Sequence, residues 1–169
     1  MKFNSKTGSS RFQSGFTLVE LLVAIFLFSL AFTATTFVLT LNLGSATSIK
    51  NSFVASGLAQ EGIEVARNLR DNDWFSGSPF GTSIPNGTYI AQWNSQALAP
   101  VGSNPNIKFD GASGLFSYGS GTDTIFNRSL TIDTVTPGVE KRVVVIVSWQ
   151  ERSGSTKTVS AEEHLFNWK

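Results

Sequence analysis

The 169-residue chain contains no cysteine. That excludes a structural disulfide, a thiol nucleophile and a cysteine-ligated metal, so any exported domain must cohere by packing alone. Histidine occurs once, as His164, beside Glu162 and Glu163 near the C-terminus. With no serine or aspartate partner assignable, it reads as a surface residue rather than a catalytic base. Charge is sparse and balanced, 13 Lys and Arg against 12 Asp and Glu, and forms no basic stripe. Nucleic acid is therefore not expected as a partner. Gly119-Ser120-Gly121-Thr122 lacks the lysine of a phosphate loop, which leaves nucleotide binding without support. Asp71-Asn72-Asp73, Asp110 and Asp123 offer hard oxygen ligands, but no run has the spacing of a calcium loop. Neither a cofactor, a metal nor an enzymatic activity is expected.

The most informative absence is local: no charged residue lies between Glu20 and Lys50. A bilayer's hydrocarbon core requires ~20 apolar residues, and Leu21–Leu41 supplies them with Ser and Thr interspersed. Those hydroxyls are tolerated because they can bond back to the helix's own carbonyls. Ahead of this run, residues 1–15 are polar and aperiodic, and Lys2, Lys6 and Arg11 are their only charges. A basic leader before an apolar span predicts a cytoplasmic N-terminus. Removing those three leaves ten Lys and Arg against twelve Asp and Glu, so the remainder is weakly acidic.

Helical character extends past the span. Val54, Leu58, Val65 and Leu69 recur at spacings of four, seven and four, beside the small residues Ala55, Ala59, Gly62 and Ala66. That stripe suits packing against a sheet. A helix from Phe16 to about Arg70 would be about 80 Å long. Gly44, Gly57 and Gly62 weaken it by ~1 kcal/mol each, and Asn42–Ser48 is the expected point of bending or unwinding. Glu61, Glu64, Arg67 and Arg70 have the spacing of a solvated, salt-bridged face. Asp71-Asn72-Asp73 is expected to end the helix, and Ser76-Gly77-Ser78-Pro79 to form a loop. Beyond it the pattern predicts strands at Thr88–Trp93, Ile107–Phe109, Leu115–Tyr118, Ile125–Asp133, Arg142–Gln150 and Thr156–Leu165. Val143, Val145, Val147 and Trp149 share one face of the strongest strand. Trp74, Trp93, Trp149 and Trp168 are expected in core or edge packing, and Phe166-Asn167-Trp168-Lys169 forms an aromatic end able to pin the C-terminus.

The junction Gly15-Phe16-Thr17-Leu18-Val19-Glu20, after a basic leader and before an uncharged span, resembles the processing site of type IV prepilins. The family includes type IV pilins, minor pilins and type II secretion pseudopilins. The resemblance implies cleavage after Gly15 by a prepilin peptidase and N-methylation of Phe16. Glycine suits the scissile bond because it leaves the backbone accessible. A carboxylate in an apolar segment costs several kcal/mol unless paired, which marks Glu20 as functional. The resemblance implies that Glu20 neutralises the new amine of a neighbouring subunit during assembly. The plainer alternative is a Glu20 at the membrane interface in contact with water or headgroups. Ala59–Arg67, with Val145–Trp149 and Asn167-Trp168, looks more softly like minor-pilin-like proteins. Two features depart from many pilins: no proline lies between Phe16 and Arg70, and no C-terminal disulfide is possible.

The expected fold is α+β, a lollipop in which a long N-terminal α-helix, membrane span plus amphipathic half, packs on a C-terminal antiparallel β-sheet. The expected divisions are a leader at 1–15, a membrane and filament-core helix at 16–43, an amphipathic half at 44–72 and a β domain at 73–169. Leu18, Val19, Leu21, Leu22, Val23, Ile25, Phe26, Leu27, Phe28 and Leu30 would face lipid first and other subunits afterwards. The expected partners are further pilin subunits of a homo- or hetero-filament, a prepilin peptidase, the inner-membrane assembly platform and membrane lipid. The precursor would sit in the inner membrane, and the assembled subunit in a cell-surface pilus or periplasmic pseudopilus. Two rivals remain: an ordinary single-pass anchored binding domain, and a secreted protein cut by signal peptidase near Ala31 or Ala34.

Overall fold

The computed structural model describes residues 15–168. They form two compact units, 15–45 and 46–168, through which one helix, α1 (Leu18–Phe75, 58 residues), runs without interruption. Seven strands follow: β1 (Gly87–Ile90), β2 (Ala99–Pro100), β3 (Asn106–Asp110), β4 (Leu115–Ser117), β5 (Thr122–Thr136), β6 (Glu140–Gln150) and β7 (Thr156–Phe166). The fold is α+β, as the sequence pattern predicts.

The ends and middle of α1 differ from expectation. Asn42–Ser48 is helical throughout rather than unwound, and the Ser45 hydroxyl donates to the Leu41 carbonyl at 3.2 Å. One glycine costs ~1 kcal/mol, less than breaking the hydrogen-bonded turns on both sides of it. Asp71–Asp73 does not stop the helix either. The end comes at Gly77, whose φ of 72° turns the chain while Ser78 N–H bonds the Asp73 carbonyl (2.8 Å) and Gly77 N–H bonds that of Trp74 (3.2 Å). This is a Schellman termination, in which glycine takes the left-handed position. The Asp73 side chain is buried and accepts bonds from the Ser83 N–H (3.0 Å) and hydroxyl (2.6 Å), so the supposed breaker is tied into the last turn.

The sheet is antiparallel. β6 lies between β5 and β7, in registers such as Leu130↔Val145 and Val145↔Ala161. The long β5 is paired on its other side by β1 near Leu130 and by β3 near Asn127. β1 is shorter than expected because Gln92–Ser95 forms a turn, with Ser95 N–H bonded to the Gln92 carbonyl at 2.9 Å. β5 is longer, because β6 pairs with it along most of its length. The two-residue β2 had no recognisable pattern.

In the unit 46–168, the second part of α1 packs on one face of the sheet. Phe126, Leu130 and Ile132 of β5 and Val143, Val145, Val147 and Trp149 of β6 are buried there with Ala55, Leu58, Ala59, Val65, Ala66 and Leu69 of α1. Each large side chain so removed from water contributes ~1.5–3 kcal/mol. Gly62 is a point of close approach: a Cβ there would lie 2.8 Å from Val145 Cγ1.

The supposed solvated charge row is divided between core and surface. Period-2 alternation along β5 places Arg128 on the core face, 0% exposed. Its guanidinium donates to the Leu58 carbonyl and Glu61 Oε1, both at 2.9 Å, and to the Ala91 carbonyl. Glu61 therefore faces the sheet. Glu64 remains outside, 3.0 Å from Arg67, which also pairs with Glu163 of β7. Arg70 is buried, 2.8 Å from Asp71, with its guanidinium 4.6 Å from the Trp74 ring centroid and 4.8 Å from that of Trp168. The two indoles lie 5.3 Å apart, and Asn167 N–H bonds the Val139 carbonyl at 2.8 Å. The aromatic C-terminus is thus pinned, where a disulfide is impossible. Trp149 is core, whereas Trp93 is exposed, contrary to the packing role expected of it.

Candidate functional site

The residues singled out from sequence form the start of α1. Thr17 is its N-cap: its Oγ1 accepts the Glu20 N–H at 3.2 Å, and its carbonyl accepts the Leu21 N–H at 3.1 Å. Thr17-Leu18-Val19-Glu20 is a capping-box sequence, a signal legible in the residues that overlaps the processing likeness. The reciprocal half of the box is missing. Among the described residues, the Glu20 carboxylate makes no hydrogen bond or ion pair. It sits in the first turn, where the helix dipole favours negative charge.

Among the described residues, no atom lies within 4 Å of where a Cβ on Gly15 would stand. Phe16 is 82% exposed, and Leu18, Val19, Leu21, Leu22, Val23, Ile25, Phe26, Leu27, Phe28 and Leu30 are all exposed. Phe32, Phe37, Val38, Leu39, Leu41 and Leu43 continue the bare surface, so the helix is apolar on every side. Such a surface demands a cover of lipid or protein.

The hydroxyls within it are satisfied locally. The hydroxyls of Thr33, Thr35, Thr36 and Thr40 each donate to the carbonyl four residues back at 2.8–2.9 Å, and Ser29 donates to that of Phe26 at 2.8 Å. The segment thus presents little unmet polarity to an apolar surround. By length and composition α1 is able to cross a membrane, with none of the qualifying window buried.

The other residues weighed for chemistry are engaged elsewhere. His164 Nδ1 lies 2.5 Å from Glu140 Oε1 and its Nε2 is 3.4 Å from Glu162 Oε1. The bond to Glu140 raises its pKa above the ordinary value. Among the described residues, no group of three His, Asp or Glu is placed to hold a metal ion. Sequence reasoning missed Arg128, although inward alternation along β5 marks it as a charge on the core face.

Residues 10–36 match the family model described as the prokaryotic N-terminal methylation motif. No curated protein and no solved structure matches the chain.

Proposed function

Since the chain carries at residues 10–36 the signature of the type IV pilin family, which supports a pilin or pseudopilin subunit, we propose that it is processed between Gly15 and Phe16, N-methylated on Phe16 and assembled into a filament. One observation carries this reading: a helix bare and apolar on all sides, headed by a carboxylate that has no partner among the described residues. Lipid covers that surface in the precursor, and equivalent helices of other subunits cover it in the filament. Moving between the two surrounds costs little hydrophobic energy, so polar pairing and packing decide the register. Cleavage before Phe16 creates an ammonium group, and Glu20 of one subunit pairs with that group on the next. Two buried charges then neutralise each other at the base of the filament.

On this reading the partners are further pilin subunits, a prepilin peptidase and an inner-membrane assembly platform. The precursor crosses the inner membrane once with its N-terminus in the cytoplasm, and the subunit later resides in a surface pilus or periplasmic pseudopilus. The minor-pilin assignment rests on the softer likeness of Ala59–Arg67 and the C-terminal strand, and filament stoichiometry tests it.

The capping bond favours a second reading. Thr17 caps the helix and the Glu20 carboxylate complements its dipole, a sufficient role for both in a simple anchored domain. The discriminating measurement is the N-terminal residue and mass of protein extracted from cells with and without a prepilin peptidase. A peptidase-dependent start at methylated Phe16 supports the filament subunit, and Glu20→Ala then abolishes assembly while leaving membrane insertion intact. An uncut chain in both strains, or a start beyond Ala31, leaves the anchored or secreted domain.

A further inference from the structure

The turn that follows β1 holds an indole out into solvent, an arrangement the packing does not explain. Trp93 is 51% exposed, in a turn stiffened at both ends. Ser95 N–H bonds the Gln92 carbonyl at 2.9 Å, and Gln92 N–H bonds Ser95 Oγ at 2.9 Å. The Gln92 side chain fastens the turn to the end of β4, accepting the Tyr118 N–H at 2.8 Å and donating to Asn94 Oδ1 at 2.8 Å. A large apolar ring left in water forgoes its burial energy, and the stiffened turn beneath it needs no ordering when a ligand binds.

Beside the ring is an open depression of about 320 Å³, whose walls include Asn94, Asp110, Ser113, Leu115 and Ser120. Asp110 is held by the Ala112 N–H at 2.9 Å and the Ser113 hydroxyl at 2.8 Å, one on each carboxylate oxygen. Each oxygen keeps further acceptor capacity. These bonds hold its pKa below the usual carboxylate range, so it stays an acceptor at neutral pH. Among the described residues the Asn94 amide N–H groups are unused, which gives the depression donors beside its acceptors. Among the described residues no lysine, arginine or histidine lines it, and the nearby Lys108 ammonium is directed to the Gly119 carbonyl at 3.4 Å, which disfavours a phosphate or carboxylate ligand. With one ring rather than several, it is no cage for a quaternary ammonium. The remaining chemistry is a flat apolar face beside closely spaced donors and acceptors.

We propose that this depression binds a neutral pyranose unit of a glycan. The C–H face of the sugar stacks on Trp93, while its hydroxyls bond Asp110 and Asn94. A sugar ring matches the site because its faces are apolar and its rim is a ring of hydroxyls. The inference is independent of whether the chain enters a filament.

The test is a titration of the full chain, in micelles of an amine-oxide detergent free of sugar headgroups, with maltotriose, cellotriose and a trimer of N-acetylglucosamine. The readout is the ¹⁵N-labelled indole resonance of Trp93, identified with Trp93→Phe, together with the backbone amide resonances of Asn94 and Ser113, which line the depression and persist in Trp93 variants. A saturable shift with at least one neutral trimer, weakened about tenfold or more by Trp93→Ala, is the expected result. The remaining indole signals report that the variant is folded. No shift with any neutral trimer overturns the proposal, as does a shift that Trp93→Ala leaves unchanged. Binding of a galacturonate trimer alone also overturns it, because Asp110 would repel that ligand.

Discussion

The two units use one helix in opposite ways. In residues 15–45 the hydroxyls bond their own preceding carbonyls and the large apolar side chains stand bare. In residues 46–168 the helix contributes long-range bonds: Arg128 to the Leu58 carbonyl and Glu61, Arg67 to Glu163, and Ser48 Oγ to Glu151 Oε1 at 2.6 Å. The first part is locally complete and waits for an apolar surround, whereas the second is locally incomplete and finds its partners in the sheet. Helical propensity is not what separates them. The difference lies in what each surface meets, and a glycine's effect follows from the same cause. Gly62 is crowded by Val145, whereas Gly57 faces open space.

The largest expected break is at Arg128. Arg128→Ala leaves Glu61 and the Leu58 and Ala91 carbonyls short of a donor, and should lower unfolding free energy by about 3 kcal/mol or more in urea titration of the detergent-solubilised chain. Replacing both members, as Arg128→Met with Glu61→Leu, should recover most of the loss. That outcome would show that the pair specifies docking more than it stabilises it.

The glycines sharpen the comparison further. Gly62→Ala should destabilise by about 1–3 kcal/mol, because its Cβ presses into Val145. Gly57→Ala should stabilise by about 0.5–1 kcal/mol, since the same methyl meets nothing and the helix gains propensity. Equal effects of the two in thermal denaturation would refute the assigned helix–sheet contact.

Thr17→Ala should cost about 1 kcal/mol, confined to the start of α1. Amide hydrogen exchange should speed up at Val19–Leu21 and stay unchanged at Leu58. A change at both places would mean that the two units are more tightly coupled than their bonding suggests.

The smallest effect belongs to His164. Its folded pKa is raised, first by the bond to Glu140, so the protonated ring stabilises the folded chain. That contribution is complete below the ordinary histidine value of 6.5 and disappears as pH rises through the higher folded value. The site is solvent-facing, so the slope of stability against pH should be shallow. His164→Gln should flatten it.

Much of this was legible in the residues. Period-2 alternation in β5 and β6 places their core faces, and the Val54–Leu69 stripe places the helix against them, because burial of apolar surface dominates both. The stop at Gly77 is partly legible: Ser76-Gly77-Ser78-Pro79 has the composition of a loop, yet the polar run Asp71–Asp73 has that of a helix end. Asp73 continues the helix because Ser83, ten residues on, satisfies its carboxylate, a contact that local propensity does not contain. The inward direction of Arg128 follows from that same alternation in β5, but its partners do not, since they lie on α1 and beside β1.

By itself, the order of residues determined an uncharged stretch long enough to span a bilayer, the Gly15-Phe16 junction, the capping pattern at Thr17 and the alternation that makes a sheet. These are properties of neighbours in the chain, governed by spacing and local hydrogen bonding. Only the tertiary structure decided that Glu61 turns inward while Glu64 stays outside, that Gly62 is a contact while Gly57 is free, and that Trp93 is held out beside Asp110. Each of those depends on groups far apart in sequence meeting at a few ångströms, where close packing and desolvation, rather than propensity, set the outcome.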